Sequence, residues 1–369
     1  MSTGPARRPA WARLPLLALG FVALFAGLGA GLTRLGWTLP EVAANAAPWH
    51  GPLMICGFFG VVISLERAVA IGRLWAYAAP LLAGLGSAAI LHGRVAAAPW
   101  LMLLASVVML IGSLHVLSRQ REPFMAVIAL AAACWTVGAA LWAAGWAVPE
   151  LIGWWLSFLV LTIAGERLEL SRFMPPSRSG GRLFGAIVLL LLIALAGWGQ
   201  PWGAPLYGAG LLALAAWLLR WDIARRTVHQ RGLTRFIAVC LLSGYFWLAL
   251  GGAVMLAFGL TPGGAAYDAA LHALMLGFVF AMVFGHAPVI FPAVLRVAVP
   301  YHPVFYAPLM LLHASLLLRM AGDATGQFDW TRWGGLLSAL ALLAFIANTV
   351  LAVLRGRRAD ARGARLAPR

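Results

Sequence analysis

The feature that most constrains this chain is a series of twelve apolar runs, each long enough to cross a lipid bilayer as a helix. They cover 14–33, 50–71, 75–92, 97–117, 123–145, 151–170, 183–199, 203–221, 235–260, 267–294, 304–320 and 333–354. A hydrocarbon core needs roughly 17–25 apolar residues per crossing, and the gaps between runs are too short for a soluble domain. Composition agrees: 63% of the 369 residues are hydrophobic and 10% are charged, whereas soluble domains are about 25% charged. A water-soluble globule, a disordered chain, a coiled coil and a disulfide-stapled secreted domain are excluded. The expectation is an all-α polytopic membrane protein. A single transmembrane domain would span 1–369, ending in a basic cytoplasmic tail over 355–369.

The formal net charge of +16 does not indicate nucleic-acid binding. The 27 basic residues are all Arg, and they fall in short groups between the runs. That distribution reports topology rather than phosphate recognition. With the N-terminus inside, 23 Arg, among them Arg7, Arg8 and Arg13, lie in inner segments or the tail. Four, Arg34, Arg94, Arg319 and Arg332, lie outside. Both termini are therefore expected in the cytoplasm. The expected partner is the lipid bilayer, with no nucleic acid.

Three runs share a marker. Gly57-Phe58 precedes Glu66-Arg67, Ser157-Phe158 precedes Glu166-Arg167, and Gly277-Phe278 precedes His286, each polar group nine residues after its small residue. The offsets correspond to a repeat of about four helices. Three such units (roughly 1–117, 118–221 and 222–354) would stand in a pseudo-three-fold arrangement.

Ionisable side chains within a membrane are costly and usually have a role. Five His fall within or at the start of a run: His50, His115, His272, His286 and His313. His50 opens the second run in Trp49-His50-Gly51-Pro52-Leu53-Met54, and His272 lies early in the tenth. Counted from the Gly-Phe marker they differ by two positions, about 3 Å of rise. Two imidazoles at matched depth on different helices are suited to clamp one haem iron. Gly57, Gly60 and Gly277 would admit a flat macrocycle or a neighbouring helix. The alternative is two separate His residues that bond backbone carbonyls.

His286 lies fourteen residues after His272. At about 100° per residue that is about 40° short of four turns, on a shared face and about 21 Å along the axis. Pro288 and Pro292 free carbonyls nearby, as in irregular backbone that lines a cavity. His115 or His313 would join His286 at a second metal or haem site, or each would simply bond a neighbouring helix. Glu66 and Glu166 occupy the repeat position of His286. They would take up cytoplasmic protons, or form ion pairs with Arg67, Arg167 or an Arg of another unit. Trp154, Trp155, Trp198, Trp202, Trp330 and Trp333 lie near run ends, as an aromatic belt requires. Cys56, Cys134 and Cys240 lack metal or disulfide spacing. No Cys-x-x-Cys-His, phosphate loop, zinc-protease helix or nucleophile elbow is present.

Twelve helices in three arcs, with His-Gly-x-x-Met over His50–Met54 and a His on the tenth run, resemble the catalytic subunit of haem-copper oxidases and nitric oxide reductases. The chain is most similar to the divergent NnrS family of haem- and copper-binding membrane proteins. The resemblance implies that His50 and His272 ligate a low-spin haem b near the outer face, with copper or a second haem elsewhere. It also implies a bacterial inner membrane and a small gas ligand such as nitric oxide, or an electron donor. The sixth and seventh runs lack the family's further His residues, and the tenth has no His-x-His. The usual oxygen-reducing binuclear site is therefore not expected. A secondary transporter and a non-catalytic assembly factor for a respiratory complex are the alternative functions.

Overall fold

The computed structural model describes residues 10–172 and 177–366, which form helices and turns with no strand among them. Twelve helices are long and apolar enough to cross a membrane. They are α1 (Trp11–Arg34), α2 (Glu41–Ile71), α3 (Leu74–Leu91), α4 (Val95–Arg119), α5 (Pro123–Ala143) and α6 (Val148–Ser171), followed by α7 (Arg178–Ala196), α8 (Gly203–Trp221), α9 (Gly232–Phe258), α10 (Ala265–Leu295), α11 (Pro303–Thr325) and α12, apolar over Phe328–Gly356. Every expected crossing is present. The region expected as a tail beyond residue 354 is the continuation of α12 to Leu366, since Ala and Arg favour helix. Arg7, Arg8 and Arg369 lie outside the described residues.

Successive helices pack side by side, and α12 returns to α1. The three helices that carry the sequence marker also meet: α2 touches α6, α6 touches α10, and α10 touches α2. Burial follows this arrangement. The apolar window is 78% buried in α6, 67% in α10 and 61% in α2, against 28% in α1. The marker aromatics Phe58, Phe158 and Phe278 are all buried, and Phe58 lies nearly parallel to Phe280 at 5.9 Å. In lipid, where apolar contact alone gives little drive, such close packing holds helices together.

Two of these helices are irregular at the same place. Leu53–Phe59 in α2 and Ala273–Phe280 in α10 are π-helical. A π turn takes about one residue more than an α turn. It therefore rotates everything downstream by about 100°. The expected common face of His272 and His286 does not carry across it, and the two side chains have different neighbours. The helix runs on through Pro288 and Pro292 to Leu295, so the expected break there is absent.

Candidate functional site

At one end of the bundle His50 and His272 face each other. Their ring centroids are 6.3 Å apart and their planes differ by 17°. Each ring is oriented through Nδ1. His50 Nδ1 donates to the Gly27 carbonyl of α1 at 2.7 Å. His272 Nδ1 donates to the Asp268 carbonyl one turn back at 2.8 Å, with Asp268 Oδ1 at 3.3 Å. A proton held on Nδ1 leaves the lone pair on Nε2, and neither Nε2 has a protein partner among the described residues.

The surrounding side chains fix this geometry. A Cβ at Gly31 would come within 2.9 Å of His50 Cε1, so only glycine lets the ring lie against α1. Asp268 also accepts a two-pronged bond from Arg319 of α11, Nε to Oδ2 at 2.7 Å and Nη2 to Oδ1 at 2.8 Å. A planar fork of this kind is the strongest way to hold a carboxylate. Gly335 of α12 leaves room for the guanidinium, because a Cβ there would meet Arg319 Nη1 at 2.9 Å. The two rings open on a cavity of about 610 Å³ lined by α1, α2, α6, α10, α11 and α12. Arg34 lies on its wall, and Met54, Ile152, Leu276 and Phe280 supply apolar surface.

The opposite end of α2, α6 and α10 is built from an ion pair and a hydrogen bond donated by a second Arg. Arg67 reaches Glu166 of α6 at 3.5 Å. Arg167 donates to His286 Nε2 of α10 at 2.7 Å, and His286 Nδ1 donates to the Met282 carbonyl at 2.6 Å. The pairing of Glu166 with an Arg of another helix matches one expectation. Arg167 differs, because its partner is a neutral imidazole. Beside it, Asp222 is buried just beyond the end of α8 and accepts from the Ala224 N–H at 2.6 Å. Burial pushes the Asp222 carboxyl up from its ordinary value, and the Arg167 guanidinium works against that shift.

The second metal or haem site expected from His286, His313 and His115 is not assembled. His286 has both nitrogens engaged. His313 accepts from Trp247 Nε1 at 2.9 Å and bonds Ser243 Oγ at 3.0 Å. His115 lies edge-on to Trp75. No group of three or more His, Cys, Asp or Glu among the described residues can hold a metal ion. Of the two roles expected for the glycines, the one they serve is the approach of neighbouring helices rather than of a macrocycle. Gly57 abuts Ser87 and Ala23, Gly60 abuts Trp135, and Gly277 abuts Trp247.

Sequence reasoning missed Asp268, Arg319, Gly27, Gly31 and Asp222. Asp268 did carry a signal, since it stands four residues before His272 and so on the same helix face. Arg319 did not, because in sequence it resembles an interfacial anchor.

The fold and this site define a polytopic helical membrane protein with a facing imidazole pair at one end. Residues 13–354 match the model of a family described as a domain of unknown function, DUF8744, and the chain belongs to that family. No curated protein matches it.

Proposed function

We propose that the chain is a haem-binding membrane protein of oxidase-like architecture that handles electrons or nitric oxide without an oxygen-reducing binuclear site. The observation that carries this reading is the spacing of the two rings. A metal–imidazole bond is about 2.0 Å, and the nitrogen stands about 1 Å from its ring centre. Two imidazoles flanking one metal therefore have centroids about 6 Å apart, close to the 6.3 Å here. The free Nε2 atoms, the Nδ1 bonds and the adjoining cavity favour ligands, because a ligating His typically anchors its other nitrogen on a carbonyl or carboxylate.

The residues present fit a haem. His50 and His272 would hold the iron, the apolar wall would exclude water, and Arg34 would neutralise an acidic edge. The group would supply one-electron redox chemistry. With His50 and His272 both holding it, the group would serve electron handling at this site. For a gas, a separate apolar cavity of about 420 Å³ between α1, α10 and α12 shares Phe280 and Leu342 with the histidine cavity. It offers a route from lipid that avoids charge. His115, His286 and His313 do not fit a copper site or a second haem, and no chemistry is assigned to them.

The same proposal includes a relationship to the NnrS family, a bacterial inner membrane, cytoplasmic termini and three four-helix units about a pseudo-three-fold axis. The Arg distribution supports the sidedness and puts the histidine pair toward the outer face. The mutual contact of α2, α6 and α10 supports the units. So do the side chains that step from one unit to the next.

The test is an absorption spectrum of detergent-purified protein expressed with haem supplied. The expected result is a low-spin Soret band that His50→Ala and His272→Ala each abolish or convert, while His313→Ala keeps it. A protein without haem, or two variants with the wild-type spectrum, overturns the reading.

A further inference from the structure

The contacts at the ion-paired end follow a rule that stops one step short. Positions 66–67, 166–167 and 286–287 stand at the same distance from their markers. Arg67 reaches Glu166, and Arg167 reaches His286. Each time, the second residue of one helix reaches the first residue of the next. The closing step would run from position 287 to Glu66. That position is Ala287, which has no donor to offer. α10 does touch α2, so what is missing is the side chain rather than the approach of the helices.

Among the described residues, no ion pair joins Glu66 to a cation of another helix. The charged groups that face it are Glu166 from α6, which carries the same sign, and Arg67 on its own helix. Arg67 is already engaged by Glu166. Three titratable groups on helices packed against α2 have other neighbours. Arg13 of α1 donates to the Val294 carbonyl at 2.5 Å. Tyr77, in the first turn of α3, packs on the Leu17–Leu65–Val294 cluster, and His115 of α4 rests on Trp75. Glu66 makes no side-chain hydrogen bond among the described residues, yet it is only half-buried. With both carboxylates ionised, two negative charges would share one guanidinium in a membrane-embedded site. One proton on the pair removes the excess.

We propose that Glu66 is a proton-exchange site at this end of the bundle. Its carboxylate takes a proton from the adjoining water and returns it there, while the Arg67–Glu166 and Arg167–His286 pairs stay in place. One O–H bond forms and breaks, and no electrons move. The site would allow a change of charge elsewhere in the protein to be balanced by a proton. It does not depend on the haem assignment, since it rests on a different set of contacts.

The test uses the full chain in liposomes, treated with dicyclohexylcarbodiimide, an apolar reagent that attacks protonated carboxyls, and mapped by peptide mass spectrometry. Labelling is expected at Glu66 severalfold above Glu166, because only Glu166 is paired with a guanidinium of another helix. Ala287→Arg, which supplies the missing donor, should lower Glu66 labelling about tenfold. Should that variant fail to fold, infrared spectroscopy of the isosteric Glu66→Gln decides. The pH-dependent carbonyl band of the protonated Glu66 carboxyl, present in the wild type, should be missing from the variant, while any band from Asp222 stays in both. Labelling that favours Glu166, labelling unchanged by a folded Ala287→Arg, or a carbonyl spectrum unchanged by Glu66→Gln overturns the proposal.

Discussion

The two polar ends of α2, α6 and α10 are built by opposite rules. At one end the nitrogens that matter are left free. His50 and His272 use only Nδ1 for the protein, and their open sides border a cavity. At the other end Arg67 pairs with Glu166, Arg167 donates to His286, and His286 donates to the backbone. Both ends place costly groups within a membrane-spanning fold, but the first leaves lone pairs available to a ligand and the second closes them off. A buried histidine is therefore informative through its second nitrogen. His286 and His313 share residue type and membrane setting with His272, yet both of their nitrogens are satisfied.

That contrast can be broken most forcefully at Asp268. Asp268→Ala leaves Arg319 buried without its carboxylate, and losing one partner of such a pair costs about 3 kcal/mol or more. Thermal unfolding in detergent should show a large drop in midpoint, together with weaker haem retention. Next comes Gly277→Ala, where the new methyl would collide with Trp247. Overpacking of this kind costs about 1–3 kcal/mol, so stability should fall while the spectrum persists. Gly31→Ala should do the reverse. It pushes on the His50 ring and should perturb the spectrum more than the melting temperature. Arg67→Ala should cost about 1 kcal/mol or less, because its pair with Glu166 is long and partly exposed. It should leave the histidine end untouched.

The smallest effect is expected at Asp222. Its folded carboxyl holds a proton more tightly than the unfolded one, so stability falls as pH rises from the ordinary carboxylate value through the folded one. Asp222→Asn should flatten that slope in unfolding measured across acidic pH. A slope that is unchanged in the variant would assign the acid dependence elsewhere.

Much of this organisation was legible in the sequence because a membrane imposes length and polarity so strictly. All twelve crossings appeared as apolar runs, and His50 and His272 were singled out by depth alone. The rest depended on features that sequence period does not carry. The π turns in α2 and α10 invalidate counting at a fixed angle, which is why the face shared by His272 and His286 did not survive. Glycines that left room for either a ligand or a neighbouring helix are filled by Trp135, Trp247 and Ser87, since an open Cβ position does not say what enters it. Arg319 looked like a boundary residue until α11 placed it against Asp268. The Arg67–Glu166 pair needed only the right alternative among several that charge alone allowed.

The central claim is that the rings of His50 and His272 grip one planar iron group between them. A cryo-electron microscopy map of the haem-supplied protein tests it most directly. The account predicts a flat density between the two rings, with each Nε2 pointing at its centre. Rings in direct contact with nothing between them, or a macrocycle bound elsewhere in the bundle, would contradict it.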